Sequence, residues 1–547
     1  MNWKTKYNYD GNFFDLIKKD REFTNDELNK FLNVSETKFR NPSLLPNIDK
    51  AIERTKKAIN FNERILISGD YDCDGVASTA VMVIGLSHLT KNVDWIIPKR
   101  IDGYGLSKKI VDYAIEKNIN LIITVDNGIA SHEAIDYANE NNIDVIVTDH
   151  HQHLTDVLPT DIVVDPYISE EYPFKNICGC MVAYKFLRML IEDLHKIPIH
   201  KEIVVLTMIA TIADAMELKD ENRKFVTNAL RMLNNEEKIS FGVDALINCL
   251  KLNRGQIKST DIAFYIAPCI NAIGRVNDAE MAVRLFLSDD EVVAEKLAKE
   301  AVKLNNHRKY VQKKVIDKTE VNEEDEFLIQ VIDDVPVGIL GILAGNFAQK
   351  YQKPCFVLHR HNGKLSGSGR SLFGFDISAC VSESFDICSG GGHKAACGVH
   401  LLEENLEEFK KRCLTKYSSY MKNDFKEPTL YFLCDLPFKY INNKLLDDIE
   451  LLNPYGNGNR EPEFCTFDVV VEDYKILGKT ENTIKFLLKQ DNILFDAICF
   501  NEVKDKYMEL GQPKNVDVAF KLNYNIWNGR KTIQLMLIDI RICEQKS

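Results

Sequence analysis

Along residues 50–215, short runs of consecutive apolar residues alternate with longer stretches whose apolar positions recur every three or four residues. That contrast separates buried strands from amphipathic helices. It predicts helix 48–60, strand 64–69, helix 76–89, strand 93–97, helix 107–117, strand 120–125, helix 131–141, and strands 143–148 and 161–164. Strands alternating with helices define an α/β domain with a doubly wound parallel sheet. Before it, residues 1–47 show helical spacing through Phe13, Phe14, Leu16, Ile17, Leu28, Phe31 and Leu32 and read as a helical lead-in. From 289 to about 320, Val292, Val293, Leu297, Ala301 and Leu304 recur at helical spacing among Lys and Glu, which predicts a long solvated connector helix. After Asn453 the period drops to two, with strands expected at 464–472, 483–488, 493–499, 516–524 and 532–541 and a tight hairpin turn at Asn528-Gly529. Five such strands suggest a small barrel. Its aromatics Phe467, Tyr474, Tyr524 and Trp527 are candidates for core or for base stacking, and core is the commoner fate.

The strand ends carry the chemistry. The apolar run of Arg64-Ile-Leu-Ile-Ser-Gly stops at Asp70, Asp72 and Asp74, spaced two apart. The strands at 120–125 and 143–148 run into Asp126-Asn-Gly and Asp149-His150-His151, and the helical stretch Ile203 to Ala213 presents Asp214. One Asp after a strand most often caps the next helix, and an acidic turn can be a solvated loop or a Ca²⁺ loop. Recurrence at several strand ends changes that reading, because open parallel sheets bind ligands at the carboxyl ends of their strands. Carboxylates and imidazoles together suit Mn²⁺ or Mg²⁺. Two ions sharing a bridging carboxylate need about five to seven such ligands, which this edge provides.

Composition narrows the substrate. A chain of 547 residues has room for three or four domains. Its net charge of −12 argues against indiscriminate polyanion binding, so any nucleic-acid path must be a local basic surface. Residues 335–375 supply one, with no Asp or Glu but with Lys350, Lys353, His359, Arg360, His361, Lys364 and Arg370. This stretch contains Leu365-Ser-Gly-Ser368-Gly-Arg370-Ser371, and Ser389-Gly-Gly391-Gly392-His393 follows. Both read as glycine-rich turns whose backbone N–H groups can approach phosphate. The 14 cysteines show no paired CxxC spacing, and Cys178-Gly-Cys180 is too isolated for zinc, so buried free thiols in a reducing cytoplasm are expected. No apolar stretch reaches the roughly 18 residues of a membrane span and no apolar leader opens the chain, so a soluble, cytoplasmic protein without a membrane partner is expected.

The ordered motifs Asp70-Tyr-Asp72-Cys-Asp74-Gly, Val-Asp126-Asn-Gly-Ile, Thr-Asp149-His150-His151 and Ile-Ala-Asp214 resemble those of the DHH phosphoesterases. Within them the chain is similar to the RecJ exonuclease family from about residue 42 to the C-terminus. The resemblance implies two divalent ions, Mn²⁺ or Mg²⁺, with Asp72 and Asp126 on one and Asp74, Asp126, His150 and Asp214 on the other. Asp70, Asp149 and His151 would support that shell. It further implies that Arg275, which alone would read as a loop arginine in a surface ion pair, holds substrate together with Ser368, Arg370, Ser371, Gly391, Gly392 and His393. Cys397 stands where the family commonly has Ala, a size-conserving change. The implied division is a lead-in 1–47, a DHH catalytic domain 48–285, a connector helix 286–325, a second α/β domain 326–425 that binds substrate, and a linker with an OB-fold barrel 426–547. The implied activity is 5′→3′ hydrolysis of single-stranded DNA in repair and recombination by a monomer, with a single-strand-binding protein and a helicase as partners. Two rivals remain. A small-nucleotide phosphodiesterase of the same superfamily would end after two domains, and a catalytically silent DNA-binding scaffold would have lost a ligand position.

Overall fold

A computed structural model describes residues 2–543 apart from 101–102, 154–156, 195–198, 277, 334, 424, 426–428, 479–480 and 528–529, and apart from the side chains of 36, 193 and 527. The expected turn at Asn528-Gly529 and the Trp527 side chain therefore lie outside the described residues. The chain forms two compact units, one of residues 39–217 and 228–426, the other of residues 1–38, 218–227 and 427–547.

The chain opens as strand β1 (Asn2–Asn8), where helical spacing was expected. In the larger unit β2 (Ile65–Ser68), β3 (Val93–Ile96), β4 (Leu121–Val125), β5 (Asp144–Thr148) and β6 (Val163–Val164) pair in parallel in the order β3-β2-β4-β5-β6. β2, β4 and β6 are buried throughout, as covering helices on both faces require of a parallel sheet. The helix Cys73–Ser87 packs against helices Gly179–Leu194 and Lys201–Ala213, which is why it is apolar around nearly its whole circumference. Strand order reverses between β2 and β4, the switch point where such sheets open a crevice.

The helix Glu291–Lys318 begins at Asp290, whose side chain accepts from Val293 N. It is less solvated than expected: Ala294, Ala298, Ala301 and Asn305 are buried in a seam against helices Phe241–Cys249 and Ala267–Val276. Beyond it, β7 (Leu328–Val331), β8 (Cys355–His361), β9 (Lys364–Arg370), β10 (Cys388–His393) and β11 (Ala396–Leu402) form a second sheet, ordered β10-β11-β9-β8-β7. The two glycine-rich segments expected as turns are therefore strands β9 and β10. Leu365 and Gly369 are buried while Ser366, Ser368 and Arg370 alternate to the other face, a period of two that glycine hides because it has no side chain to mark its face.

In the smaller unit β12 (Thr429–Asp435), β13 (Phe464–Leu477), β14 (Thr483–Gln490), β15 (Ile493–Phe500), β16 (Asn515–Trp527) and β17 (Arg530–Ile542) follow. β16 pairs back onto β13, which closes β13 to β17 into a five-stranded barrel. β1 lies parallel to β12, and β12 to β13. Helices Phe13–Asp20 and Asn25–Leu32, the second held by a Thr24/Glu27 capping box, belong to this unit, and Phe13, Leu16 and Ile17 share a core with Phe438, Phe486 and Phe520. Arg223 fastens the same unit: it lies 3.8 Å from the Phe31 ring centre and donates to Leu452 O at 2.9 Å and Phe31 O at 3.3 Å. Of the barrel aromatics, Tyr474 packs on Phe486 and Tyr507, and Tyr524 donates to Asp447 at 2.9 Å. The N-terminal residues are thus part of the barrel unit's core. Phe13→Ala, at a position 3 % exposed, should cost about 3–5 kcal/mol. Hydrogen exchange should show the loss in β12 and β13; unchanged protection there would make the N-terminal helices dispensable to the barrel.

Candidate metal centre

Each acidic motif is delivered by an element end. After β2 the chain turns at Gly69 and Asp70, and Asp72 becomes the N-cap of Cys73–Ser87, accepting from Asp74 N at 2.9 Å and Gly75 N at 3.1 Å. Asp126 follows β4 in the left-handed region, φ 61°, which Asp tolerates better than most residues. Asp149, His150 and His151 follow β5, and Asp214 is the C-cap of Lys201–Ala213. Asp74 points across to helix Gly179–Leu194, where Oδ2 accepts from Gly179 N at 2.8 Å and Oδ1 from Cys180 N at 2.9 Å. Gly179 is needed there, since a Cβ would sit 2.6 Å from Asp126 Oδ1.

Three groups of donors converge within 4.8 Å: Asp70, Asp72 and Asp126; Asp74, His150 and Asp214; and Asp126, His150 and His151. His150 Nε2 lies 3.0 Å from Asp126 Oδ1 and 3.7 Å from both Asp74 Oδ2 and Asp214 Oδ2. Asp70 Oδ1, Asp126 Oδ1 and Asp214 Oδ2 are buried with no hydrogen-bond partner among the described residues. Buried carboxylate oxygens without donors carry a large cost unless paired or coordinating a metal. Oxygen and imidazole donors of this kind fit Mn²⁺ or Mg²⁺. Without cations the carboxyls resist ionisation: burial, then Asp72, raises Asp70 to about 7, and burial, then Asp74, raises Asp214 to about 8. Burial with the neighbouring carboxylates likewise raises Asp72 and Asp126. Burial lowers His150, favouring the neutral imidazole that ligates metals.

Asp149 behaves differently. Burial pushes its carboxyl up, but the bond and charge of His151, the charge of His150 and the Ile129 N–H together hold it below its ordinary value. Burial likewise pushes His151 down, but the Asp149 bond with the charges of Asp149, Asp214 and Asp74 raises it to about 9. Its Oδ1 accepts from His150 N at 2.8 Å and lies 2.8 Å from His151 Nδ1, and its Oδ2 accepts from Ile129 N at 3.0 Å. This carboxylate fixes the loop that presents His150.

The expected substrate residues stand on separate elements. Arg275 is on helix Ala267–Val276, where a loop was read, and donates Nη1 to Gly338 O at 2.7 Å. Burial lowers its pKa to about 10, and it feels the charges of Arg100, Arg308, Asp72 and Arg370. Ser368 and Arg370 lie on β9, Gly391, Gly392 and His393 on β10, and Ser371 donates its N–H to Ala395 O at 3.0 Å. Among the described residues, no hydrogen bond or ion pair joins this second sheet to the carboxylates.

Residues missed in the sequence sit in the loop after β3. Arg100 stacks on the Tyr71 ring at 4.1 Å and donates to Gly274 O at 3.3 Å. Tyr104 donates its hydroxyl to Asp126 O at 2.9 Å and approaches His151 Nδ1 at 3.3 Å. Their signal was available: Arg100-Ile-Asp-Gly-Tyr104-Gly leaves a strand of the same sheet at the same edge.

A parallel sheet whose switch point gathers Asp and His from successive strand ends, followed by a second α/β domain, defines a phosphoesterase of the DHH class, and the sequence matches the family described as "DHH family, N-terminal domain" over residues 64–211 and "DHHA1 domain" over 324–418. Residues 434–539 match "RecJ OB domain". The chain belongs to the RecJ family. It is 31% identical over 525 residues to the single-stranded-DNA-specific exonuclease RecJ of Bacillus subtilis, covering 94% of this chain and 66% of that protein. It is 30% identical over 505 residues to the protein of the same name from Thermus thermophilus, covering 91% of this chain and 72% of the relative. A crystal structure of RecJ from Thermus thermophilus in complex with Mn²⁺ superposes with a TM-score of 0.82 at 28% identity, over 97% of this chain and 76% of that one.

Proposed function

We propose that the protein is a metal-dependent exonuclease that hydrolyses phosphodiester bonds of single-stranded DNA in the 5′→3′ direction, in DNA repair and recombination in the cytoplasm. The observation that carries this reading is the meeting of three buried carboxylate oxygens that accept no hydrogen bond among the described residues, with Asp126 belonging to two of the three donor groups. Asp72 and Asp126 would hold one divalent cation and Asp74, Asp126, His150 and Asp214 a second, with Asp70 close to the first set and His151 to the second. Cations held there would supply positive charge against the phosphate and lower the pKa of attacking water. The chain's own residues do the rest. Asp149 locks the His150 loop, and the buried strands fix the carboxylates before substrate arrives, so no reorganisation accompanies the reaction. Arg275 and Arg370, with Ser368, Ser371, Gly391, Gly392 and His393, would orient the phosphate oxygens. The barrel would keep the strand single and spend binding energy away from the chemistry. A single-strand-binding protein and a helicase are the partners that this role suggests.

The barrel counts against a small-nucleotide enzyme, and the filled ligand positions count against a silent scaffold. One digestion series decides among the three: 5′-blocked, 3′-blocked and duplex oligonucleotides with Mn²⁺ or Mg²⁺. Mononucleotide release from unblocked and 3′-blocked single strands only, abolished by chelator, is expected. Cleavage confined to dinucleotides would favour the small-nucleotide enzyme, and binding with no cleavage would favour the scaffold.

A further inference from the structure

The second sheet leaves half of one face bare. Helix Leu340–Tyr351 shares an apolar core with β7 and β8 and also covers the Ser368–Arg370 end of β9, while the rest of the same face carries Ser366 on β9, then Gly398 and His400 on β11, then Ser389, Gly391 and His393 on β10. The register sets this: Ser389 pairs with His400 and His400 with Ser366, as Gly391 pairs with Gly398 and Gly398 with Ser368, and directly opposed residues share a face. The exonuclease reading uses one end of that face, at Arg370 and His393. At the other end lies a cavity of about 570 Å³, lined by Lys364, Ser366, Ser389, His400, Phe385 and Leu402 among others. Phe385 is 61% exposed and Leu402 44%. An open aromatic wall thus stands beside an ammonium, an imidazole and two hydroxyls. The carboxylate in the lining, Asp386, is already engaged by Arg412 through bonds of 2.6 and 2.9 Å.

We infer that this cavity is a second site for the nucleic-acid substrate, taking one nucleotide of a single strand whose end lies at the metal centre. The inference rests on the exonuclease reading and adds to it a place for the strand beyond the reacting phosphate. Phe385 offers a stacking face that accepts any base, Lys364 offers charge and His400 a ring nitrogen to the phosphate, the combination that holds single strands without regard to sequence. Charge selects the occupant, since a basic lining in a chain of net charge −12 attracts phosphate more than an acidic protein surface would. From Arg370, proposed to hold the reacting phosphate, to Ser366 along β9 is about 13 Å at roughly 3.3 Å per residue, so the cavity takes a nucleotide beyond the reacting one and the shortest substrates should depend on it least.

The test is Phe385→Ala and, separately, His400→Ala, both at exposed positions whose loss should leave the melting temperature unchanged. Affinity is read by fluorescence anisotropy on oligothymidylates of increasing length without added metal, and turnover on the same series with Mn²⁺. Phe385→Ala should lose about tenfold in affinity for long strands, the scale of one base stack, and His400→Ala, which loses a phosphate contact, should lose affinity for the same strands. The KM for long strands should rise in step while kcat and dinucleotide cleavage stay as in the wild type. Equal affinities of wild type and both variants at every length would overturn the site. A wild type that binds long strands but hydrolyses none would sink the exonuclease reading, and the affinity comparison would still decide the cavity.

Discussion

Asp126→Asn should fold, bind single-stranded DNA and show turnover at least about 10³-fold below wild type, the upper end of what one stabilising group commonly costs. The substitution isolates charge. Asn tolerates the left-handed backbone that Asp126 adopts at φ 61°, and it keeps the two backbone bonds, N–H to Thr148 O at 3.0 Å and O from Tyr104 at 2.9 Å. A capping role is not at stake, because the next helix begins at His132 with Ser131 at its N-cap. What changes is one negative charge within reach of two donor groups. Metal binding reads this out separately from turnover. Mn²⁺ at about 100 times its Kd should stabilise wild type by about 2.7 kcal/mol, and calorimetric melting should show a smaller gain in the variant. Metal-free, the variant should be no less stable, since burial and the carboxylates of Asp74 and Asp72 already disfavour a charge there. An active Asp126→Asn enzyme with an undiminished Mn²⁺ shift would remove Asp126 from the centre.

The contrast with Asp72 shows how far single residues could be read. Both follow a buried strand, and an N-cap is the ordinary explanation for either; the structure makes Asp72 a cap through Asp74 N and Gly75 N and Asp126 none. Their convergence was legible because β2 and β4 are buried on both faces, so apolar runs break sharply at the carboxylates. The barrel strands were legible for the related reason that one face is wet and the period is two. Elements lacking such contrast stayed hidden. β1 is an exposed strand, Asn-Trp-Lys-Thr-Lys-Tyr-Asn, with one burial pattern too polar to mark a face. Pro268 made Ala267–Val276 resemble a loop, although the helix runs through it from Ser259, with the π-helical segment Ile262–Ile266 just before the proline relieving the regular hydrogen-bond ladder. Arg100 and Tyr104 were marked only by their place after a strand at the same sheet edge; their partners, Gly274 and Asp126, are remote in sequence.

The proposed role of Arg370 in holding the substrate phosphate can be tested at the arginine and at a neighbour that touches it. Arg370→Ala should lower kcat about 10²–10³-fold with bound Mn²⁺ unchanged, because no metal donor is lost. Gly341 offers the subtler change. It lies in helix Leu340–Tyr351, where a Cβ would stand 2.8 Å from Arg370 Nη2 and 3.4 Å from Ser368 Oγ. The nearest atom is the far end of a flexible side chain, so the guanidinium moves aside at little cost to folding. Alanine is favoured over glycine in a helix by about 0.5–1 kcal/mol. Gly341→Ala should therefore hold or raise the melting temperature while kcat falls, a combination that general destabilisation cannot produce. Arg370 would retain its own bond, Nη1 to Gly369 O at 2.8 Å, only by adopting another rotamer. If both variants turn over as fast as wild type, Arg370 is a packing residue on Gly341 and the phosphate is held by other groups.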